Sequence, residues 1–316
     1  MNRIESHADP THHPAERESL DRNLVLSIAL NSVIVVAEFV GGALSGSLAL
    51  LSDALHNLSD VVALLIAFLA RRLGRRPPSL RHTYGLKRVE VIAALANGAI
   101  LLVVSTIIAR EAVTRLFHPQ AVRGGLMLTV AMIGLLANLG SVFLLKSHAH
   151  GDLNIRSAFL HLVQDTLSSV IVVVVALLSG WRYGPYLDPI ASLLVILFVI
   201  HSGWGLLRET LHILMEGAPA GLDLAALKQD IERRFPVCNL HHLHVWEAGS
   251  GQRLLTAHLV FDNRALAEVE RTMADIHRHL RDAWSIAHAT LEPEIDRCRD
   301  RGLLAVPPDH PTDRGL

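Results

Sequence analysis

Six long apolar stretches constrain the fold of this chain more than any other feature of its sequence. Each is close to the roughly 20 residues that an α-helix needs to cross about 30 Å of hydrocarbon. Of the 316 residues, 51% are hydrophobic and only 19% are charged, which is too apolar for one soluble domain. We therefore predict a polytopic α-helical membrane protein with six transmembrane helices, at residues 24–43, 47–70, 89–108, 126–145, 157–178 and 189–211.

Basic residues between the predicted spans indicate the orientation, because short cytoplasmic connections are rich in lysine and arginine. The connection between the second and third spans is the most basic, with Arg71, Arg72, Arg75, Arg76, Arg81, Lys87 and Arg88. We expect it to face the cytoplasm, as do both termini of a six-span chain, in what we expect to be a bacterial inner membrane. The run carries no nucleic-acid motif, so contact with lipid headgroups explains it better than contact with nucleic acid.

After the sixth span the composition becomes mixed polar and apolar, which predicts a second domain. Helical periodicity at 223–235, β-rich runs at 242–248 and 254–261, a helical pattern at 265–280 and a last β-rich run at 285–291 give the order αββαβ. The predicted segments are an N-terminal cytoplasmic tail, a six-helix membrane domain, a cytoplasmic α+β domain and a disordered tail, at residues 1–21, 22–215, 216–295 and 296–316.

Two predicted spans carry pairs of ionisable residues, and a charge in the hydrocarbon costs about 2.5 to 3.5 kcal/mol. The second span holds His56 and Asp60, and the fifth span holds His161 and Asp165. Both pairs are spaced i, i+4, so the side chains of each pair lie one helical turn apart. Two imidazoles and two carboxylates are the ligand number and type that tetrahedral Zn²⁺ prefers, and the carboxylates balance its charge. The sequence therefore predicts a divalent-metal site inside the membrane.

Neighbouring polar residues are candidates for holding the ligands in place. Asp53 lies one turn before His56, where it could be a fifth ligand or, as we expect, an acceptor that fixes the imidazole. Asn57 and Gln164 are predicted to support the ligands in a similar way. Further ionisable residues within the predicted spans include Glu38, which could line the entry path of the metal ion, and His201, which could equally be a packing or interface residue.

Several motifs, taken together, resemble the cation diffusion facilitators, the zinc-transporter family of divalent-metal exporters. The resemblance covers about residues 20–295 and is carried by residues 38–42, 47–56, 83–90, 154–165, 187–189 and 241–246. It places the transport site on the same four residues as the spacing argument. It also implies proton-coupled antiport of Zn²⁺, because neutral imidazoles and ionised carboxylates bind metal only when protons have left.

The same resemblance implies a ferredoxin-like cytoplasmic domain that forms a homodimer and binds a regulatory metal ion. Its ligand positions correspond to His241, His258 and His288. Solvated imidazoles on a polar strand edge remain the alternative for these histidines. The expected partners are thus Zn²⁺, protons, membrane lipid and a second copy of the chain, with no organic cofactor.

Three alternative functions would place different demands on these residues. An exporter of cadmium, cobalt or nickel would need the same kind of site. A membrane metalloenzyme would keep an open position for water beside three protein ligands, whereas a set of four closes the site. A membrane-anchored metal sensor would gain nothing from ligands inside the bilayer. The sequence therefore predicts a transporter and not an enzyme.

Overall fold

The computed structural model describes residues 14–74, 78–146, 153–249, 251–295 and 302–304. The chain divides into two compact units, a helical unit of residues 1–72 and 93–207 and a C-terminal unit of residues 73–92 and 208–316. Most of the C-terminal tail at 296–316 lies outside the described residues, so its predicted disorder stays a prediction. Residues 14–21 of the predicted N-terminal tail are helical.

Six α-helices account for the predicted spans. They are α1 (Pro14–Ser45), α2 (Leu48–Gly74), α3 (Arg88–Phe117), α4 (Gly124–Lys146), α5 (Leu153–Leu178) and α6 (Gly184–Leu214). Each is longer than the span predicted for it. By length and composition, three described stretches could cross a membrane, namely Leu48–Ala70, Arg88–Phe117 and Gly184–Leu214. The other three helices carry shorter described apolar stretches, Asn31–Ser45, Gly124–Gly140 and Asp165–Leu178.

The core of the helical unit lies where α2, α4, α5 and α6 meet. Apolar side chains fill it, including Ala49, Met127, Val172 and Ala191. Helix α1 approaches this core closely at Gly41, where an added Cβ would lie 2.7 Å from a methyl carbon of Val130. A glycine is therefore needed at this position for α1 to pass α4 at this distance.

The C-terminal unit contains the five elements of the predicted second domain, in the predicted order αββαβ. They are α7 (Leu224–Arg234), β1 (Asn239–Glu247), β2 (Arg253–Phe261), α8 (Leu266–Trp284) and β3 (Ile286–Ile295). Helix α7 begins after Asp223, whose carboxylate accepts hydrogen bonds from the N–H groups of Ala225 and Ala226. The sheet order is β1-β2-β3, with β1 antiparallel and β3 parallel to β2. Helices α7 and α8 pack on it through Leu227, Ile231, Ile276 and Leu280.

The basic connection between α2 and α3 belongs to the same unit. The Arg88 guanidinium lies 2.9 Å from a carboxylate oxygen of Glu216. The Tyr84 ring meets the His288 imidazole edge-on, with 6.2 Å between ring centroids. Gly249, in the loop between β1 and β2, leaves no room for a side chain, because an added Cβ would lie 2.8 Å from the Lys87 carbonyl oxygen. The connection is therefore packed against the β1–β2 loop and β3.

Candidate metal centre

Three predicted ligands come together between α2 and α5. His56, Asp60 and Asp165 each offer one ligand atom, and these atoms lie within 4.8 Å of one another. His56 Nε2 is 3.1 Å from Asp165 Oδ1 and 3.9 Å from Asp60 Oδ2. The i, i+4 spacing puts His56 and Asp60 on one face of α2, and Asp165 is buried on α5. One nitrogen and two carboxylate oxygens thus face a common point.

The fourth predicted ligand, His161, lies in α5 one turn before Asp165. Its side chain is outside the described part of the structure, as is that of Gln164. The helical backbone alone places His161 and Asp165 on the same face of α5. The roles predicted for His161 and Gln164 therefore stay predictions.

Asp53 was predicted to accept a hydrogen bond from the His56 imidazole, but its hydrogen bonds come from other residues. Its carboxylate is buried and accepts hydrogen bonds from the hydroxyls of Ser168 and Ser169, at 2.6 and 3.4 Å. These serines lie one turn beyond Asp165 on α5. Asp53 therefore ties α2 to α5 next to the ligand group, and holds the two ligand-bearing helices together instead of orienting the His56 ring.

Asn57 also makes its hydrogen bond away from the ligands. Its amide donates to a carboxylate oxygen of Glu38 on α1 over 2.8 Å. Glu38 is 1% exposed and reaches towards α4, where an added Cβ on Gly134 would lie 2.5 Å from its other carboxylate oxygen. Glu38 was notable in the sequence as the one glutamate of the first predicted span, at 24–43, but spacing alone could not pair it with Asn57.

An apolar cleft of about 280 Å³ borders His56. Val163, Leu167 and Ile171 of α5 line it together with Leu194 and Phe198 of α6. An apolar neighbourhood strengthens charge interactions and makes an unpaired charge costly. In these surroundings, carboxylates without a balancing positive charge would be unfavourable.

A second group of candidate ligands lies in the C-terminal unit. The ring nitrogens of His241, His242 and His258 lie within 4.8 Å of one another. Glu294 of β3 joins them, with one carboxylate oxygen 2.7 Å from His258 Nδ1 and the other 3.4 Å from His241 Nε2. Two of the three predicted histidines are thus together, and they are joined by His242 and Glu294, which were not among the predicted ligands.

His242 joins the group because β1 is irregular at this point. The pairing register of β1 with β2 shifts between His241 and His244, and His242 adopts the left-handed backbone conformation with φ 47°. The bulge brings consecutive histidines to one site, which regular strand alternation would prevent. The three histidines within residues 241–244 were the only feature of the sequence that pointed to His242.

His288, the third predicted regulatory ligand, is not part of this group. It is exposed on β3 and faces the Tyr84 ring. Its register position opposite Leu254 places it away from His258, which lies opposite Glu292. The β3 residues that do reach the histidines are Glu294 and Glu292, and a carboxylate oxygen of Glu292 lies 3.7 Å from His258 Nε2. They are two positions apart and therefore on the same face of the strand.

Comparison with known proteins gives the family of the chain. Residues 24–215 match the family described as cation efflux transmembrane domain, and residues 219–295 match the one described as cation efflux protein, cytoplasmic domain. The chain belongs to the cation efflux family. It is therefore an integral membrane transporter of the cation diffusion facilitator type, and it is not an enzyme.

Named relatives are similar over nearly the whole chain. The zinc transporter ZitB of Escherichia coli (strain K12) is 40% identical over 302 residues, 93% of each chain. A cadmium, cobalt and zinc/H(+)-K(+) antiporter of Bacillus subtilis (strain 168) is 36% identical over 291 residues, 90% of this chain and 92% of the relative. The cation efflux system protein CzcD of Alcaligenes sp. (strain CT14) is 36% identical over 286 residues, 90% and 89% of the two chains.

Proposed function

We propose that this cation efflux protein exports Zn²⁺ from the cytoplasm in exchange for protons, through a site formed by His56, Asp60, His161 and Asp165. The observation that carries the proposal is the convergence of His56, Asp60 and Asp165 from two membrane helices. With His161 added from the same face of α5, the set has two nitrogen and two oxygen ligands. This is the tetrahedral set that Zn²⁺ favours, and its two carboxylates neutralise the ion.

Proton exchange follows from the chemistry of these ligands. Zn²⁺ binds only neutral imidazole and ionised carboxylate, so protons and the metal ion compete for the same atoms. A filled site of two neutral imidazoles, two carboxylates and Zn²⁺ has no net charge, so the ion leaves slowly unless a competitor takes its ligands. Imidazole titrates close to neutral pH, so protons from a more acidic outer side displace the ion there. The protonated site then returns and releases its protons to the cytoplasm.

The proposed topology has six transmembrane helices, α1 to α6, in a bacterial inner membrane with both termini in the cytoplasm. The basic α2–α3 connection supports it, since cytoplasmic connections carry excess positive charge. The contacts of Arg88 with Glu216 and of Tyr84 with His288 place this connection in one unit with the C-terminal elements. The two parts therefore belong on the same side of the membrane.

The C-terminal unit is proposed to be a ferredoxin-like cytoplasmic domain that forms a homodimer and binds a regulatory Zn²⁺. His241, His242 and His258 are the proposed ligands, with Glu294 as the fourth. Three imidazoles and a carboxylate within one domain supply a complete tetrahedral set. The buried position of His241 argues against plain solvated histidines at this place.

Export of cadmium and cobalt is the second candidate function, because the relative from Bacillus subtilis is named as an antiporter of cadmium, cobalt and zinc. Imidazole and carboxylate ligands accept both of these ions as well as zinc. Uptake of each metal alone, and of pairs in competition, separates a zinc exporter from one of broader selectivity.

Transport into inside-out membrane vesicles tests the proposal. Zn²⁺ uptake should rise when the lumen is made more acidic than the bath and fall when an ionophore collapses the pH difference. Zinc speciation must be held constant by a buffer of free Zn²⁺. Uptake that ignores the pH difference would mean a uniporter or a channel, and uptake no greater than in vesicles without the protein would reject metal export.

A further inference from the structure

A carboxylate of α6 caps the N-terminus of α2, the helix that carries His56 and Asp60. Asp188 is 1% exposed and lies near the start of α6. It accepts hydrogen bonds from the Ser47 hydroxyl at 2.5 Å, the Leu48 N–H at 2.8 Å and the Ala49 N–H at 3.3 Å. No role for Asp188 follows from the metal ligands themselves.

The first N–H groups of a helix lack partners within the helix, and at this end of α2 they are buried. The Ser47 N–H donates to the Gly42 carbonyl, and the Leu50 N–H donates to the Ser47 hydroxyl oxygen. The remaining two, those of Leu48 and Ala49, depend on Asp188 alone. A charged acceptor at a helix N-terminus makes stronger hydrogen bonds than a neutral one and complements the helix dipole.

A second polar contact lies one turn further along both helices. Ser192, four residues after Asp188, has its hydroxyl oxygen 2.8 Å from that of Ser52, which in turn donates to the Leu48 carbonyl. His56 follows Ser52 by four residues, so Leu48, Ser52 and His56 lie on one face of α2. The contacts between α6 and α2 therefore lead along this face to the turn that bears the first ligand.

The turn before α2 is held from another side. Gly46 adopts a positive φ of 74°, and its carbonyl oxygen accepts a hydrogen bond of 2.6 Å from the Arg115 guanidinium of α3. Arg115 thus fixes the turn from α1 to α2, while Asp188 fixes the first residues of α2. The register of α2 against its neighbours is set at this end, about 12 Å along the helix from His56 by a rise of 1.5 Å per residue.

We infer that Asp188 is a positioning residue of the transport site: it fixes the height and rotation of α2 so that His56 and Asp60 meet Asp165. This inference rests on the proposed function of that site. Asp188 is not a ligand itself, because donors of α2 engage both of its oxygens. Metal affinity depends on ligand placement to a fraction of an ångström, so a small shift of α2 weakens binding.

Binding of Co²⁺ to the purified full-length protein tests the inference, because Co²⁺ in a tetrahedral site absorbs visible light much more strongly than the hydrated ion. The parent protein carries His241→Ala and His258→Ala, which leaves the membrane site as the only proposed one. Asp188→Ala should weaken Co²⁺ affinity by about tenfold or more and change the shape of the absorption band. Asp188→Asn keeps one acceptor oxygen and should lie between the two.

Ser105→Ala is the matched control, since Ser105 is a buried serine of α3 whose hydroxyl has no hydrogen-bond partner among the described residues. It should bind Co²⁺ as the parent does. Size-exclusion chromatography before each titration restricts the comparison to folded protein. If Asp188→Ala does not fold, Asp188→Asn decides in its place.

The inference would be overturned if folded Asp188→Ala bound Co²⁺ within about twofold of the parent's affinity and with an unchanged absorption band. If only Asp188→Asn folds, the same criterion applies to that variant. A further variant, His56→Ala in the same parent, separates this result from failure of the proposed function. If the parent shows a band that His56→Ala removes, the transport site stands whatever Asp188 does. If the parent shows no such band, the proposed site itself is wrong and the inference falls with it.

Discussion

His56 Nε2 lies 3.1 Å from Asp165 Oδ1, although the two residues are 109 positions apart in the chain. The contact joins α2 to α5 at the centre of the proposed transport site. In the proposed mechanism, protons and a divalent cation compete for these same atoms.

Exchange of His56 for aspartate should broaden metal selectivity. His56→Asp leaves only oxygen ligands on α2, which relaxes the preference for zinc that imidazole confers. The ratio of cadmium to zinc uptake, measured in competition in vesicles, should rise several-fold. An unchanged ratio would show that selectivity is set by residues other than His56.

Zinc binding in the C-terminal unit should depend on the histidines that lie together and not on their exposed neighbour. In a full-length protein that carries Asp165→Ala to disable the membrane site, either His241→Ala or His258→Ala should weaken zinc binding by about tenfold or more. His244→Ala, on the same strand but exposed, is the control and should bind as its parent does. Isothermal titration calorimetry measures all three. Equal weakening by His244→Ala would assign the effect to the strand and not to a site.

Packing between the α2–α3 connection and the β1–β2 loop should be sensitive to a side chain at Gly249. Gly249→Val drives a side chain into the Lys87 carbonyl and should displace the connection. Trypsin should then cleave after Lys87 or Arg88 several-fold faster than in the parent, as measured by mass spectrometry of the fragments. Gly125→Ala, where an added Cβ meets nothing within 4 Å, is the control. Parent-like cleavage of Gly249→Val would contradict the packing.

Asp230 should stabilise the C-terminal unit at neutral pH but not in acid. Hydrogen bonds from the His279 imidazole and the Trp284 indole lower the pKa of the Asp230 carboxyl below its ordinary value. A carboxyl whose pKa is lowered by folding contributes stability above its unfolded pKa, and this is lost as the pH falls through the folded pKa.

The variant Asp230→Asn tests this contribution. Its thermal midpoint should lie below that of the parent at neutral pH, and the difference should shrink as the pH falls to about 3. Tryptophan fluorescence follows the unfolding, since Trp284 lies in this unit. A difference that stays constant over that range would mean that the charge of Asp230 is not its source.

The sequence predicted the elements, and most of the residues that lie together in the two candidate ligand groups, because their signals are local. Apolar stretches of transmembrane length predicted α1 to α6, and the i, i+4 pairs predicted which helix faces carry His56 and Asp165. Alternating and helical patterns gave the αββαβ order of the C-terminal unit.

Contacts that depend on how elements pack were not predictable in this way. Asp53 was expected to hold the His56 ring, but the register of α2 against α5 turns it towards Ser168. A strand bulge, which has no clear sequence signature, brings His242 into the histidine group. His288 was predicted to join that group, but it faces Tyr84 in a connection more than 200 residues earlier in the chain.

Zn²⁺ flux in proteoliposomes that contain Asp165→Ala tests the central claim most directly. Loss of this carboxylate leaves an incomplete ligand set and an unbalanced charge, so flux should fall at least about tenfold, to the level of liposomes without protein. Val170→Ala, five residues further along α5 and exposed there, is the control for truncating a side chain of this helix. It should transport as the parent does, with both variants inserted in equal amounts. Flux of Asp165→Ala equal to that of the parent would contradict transport through this site.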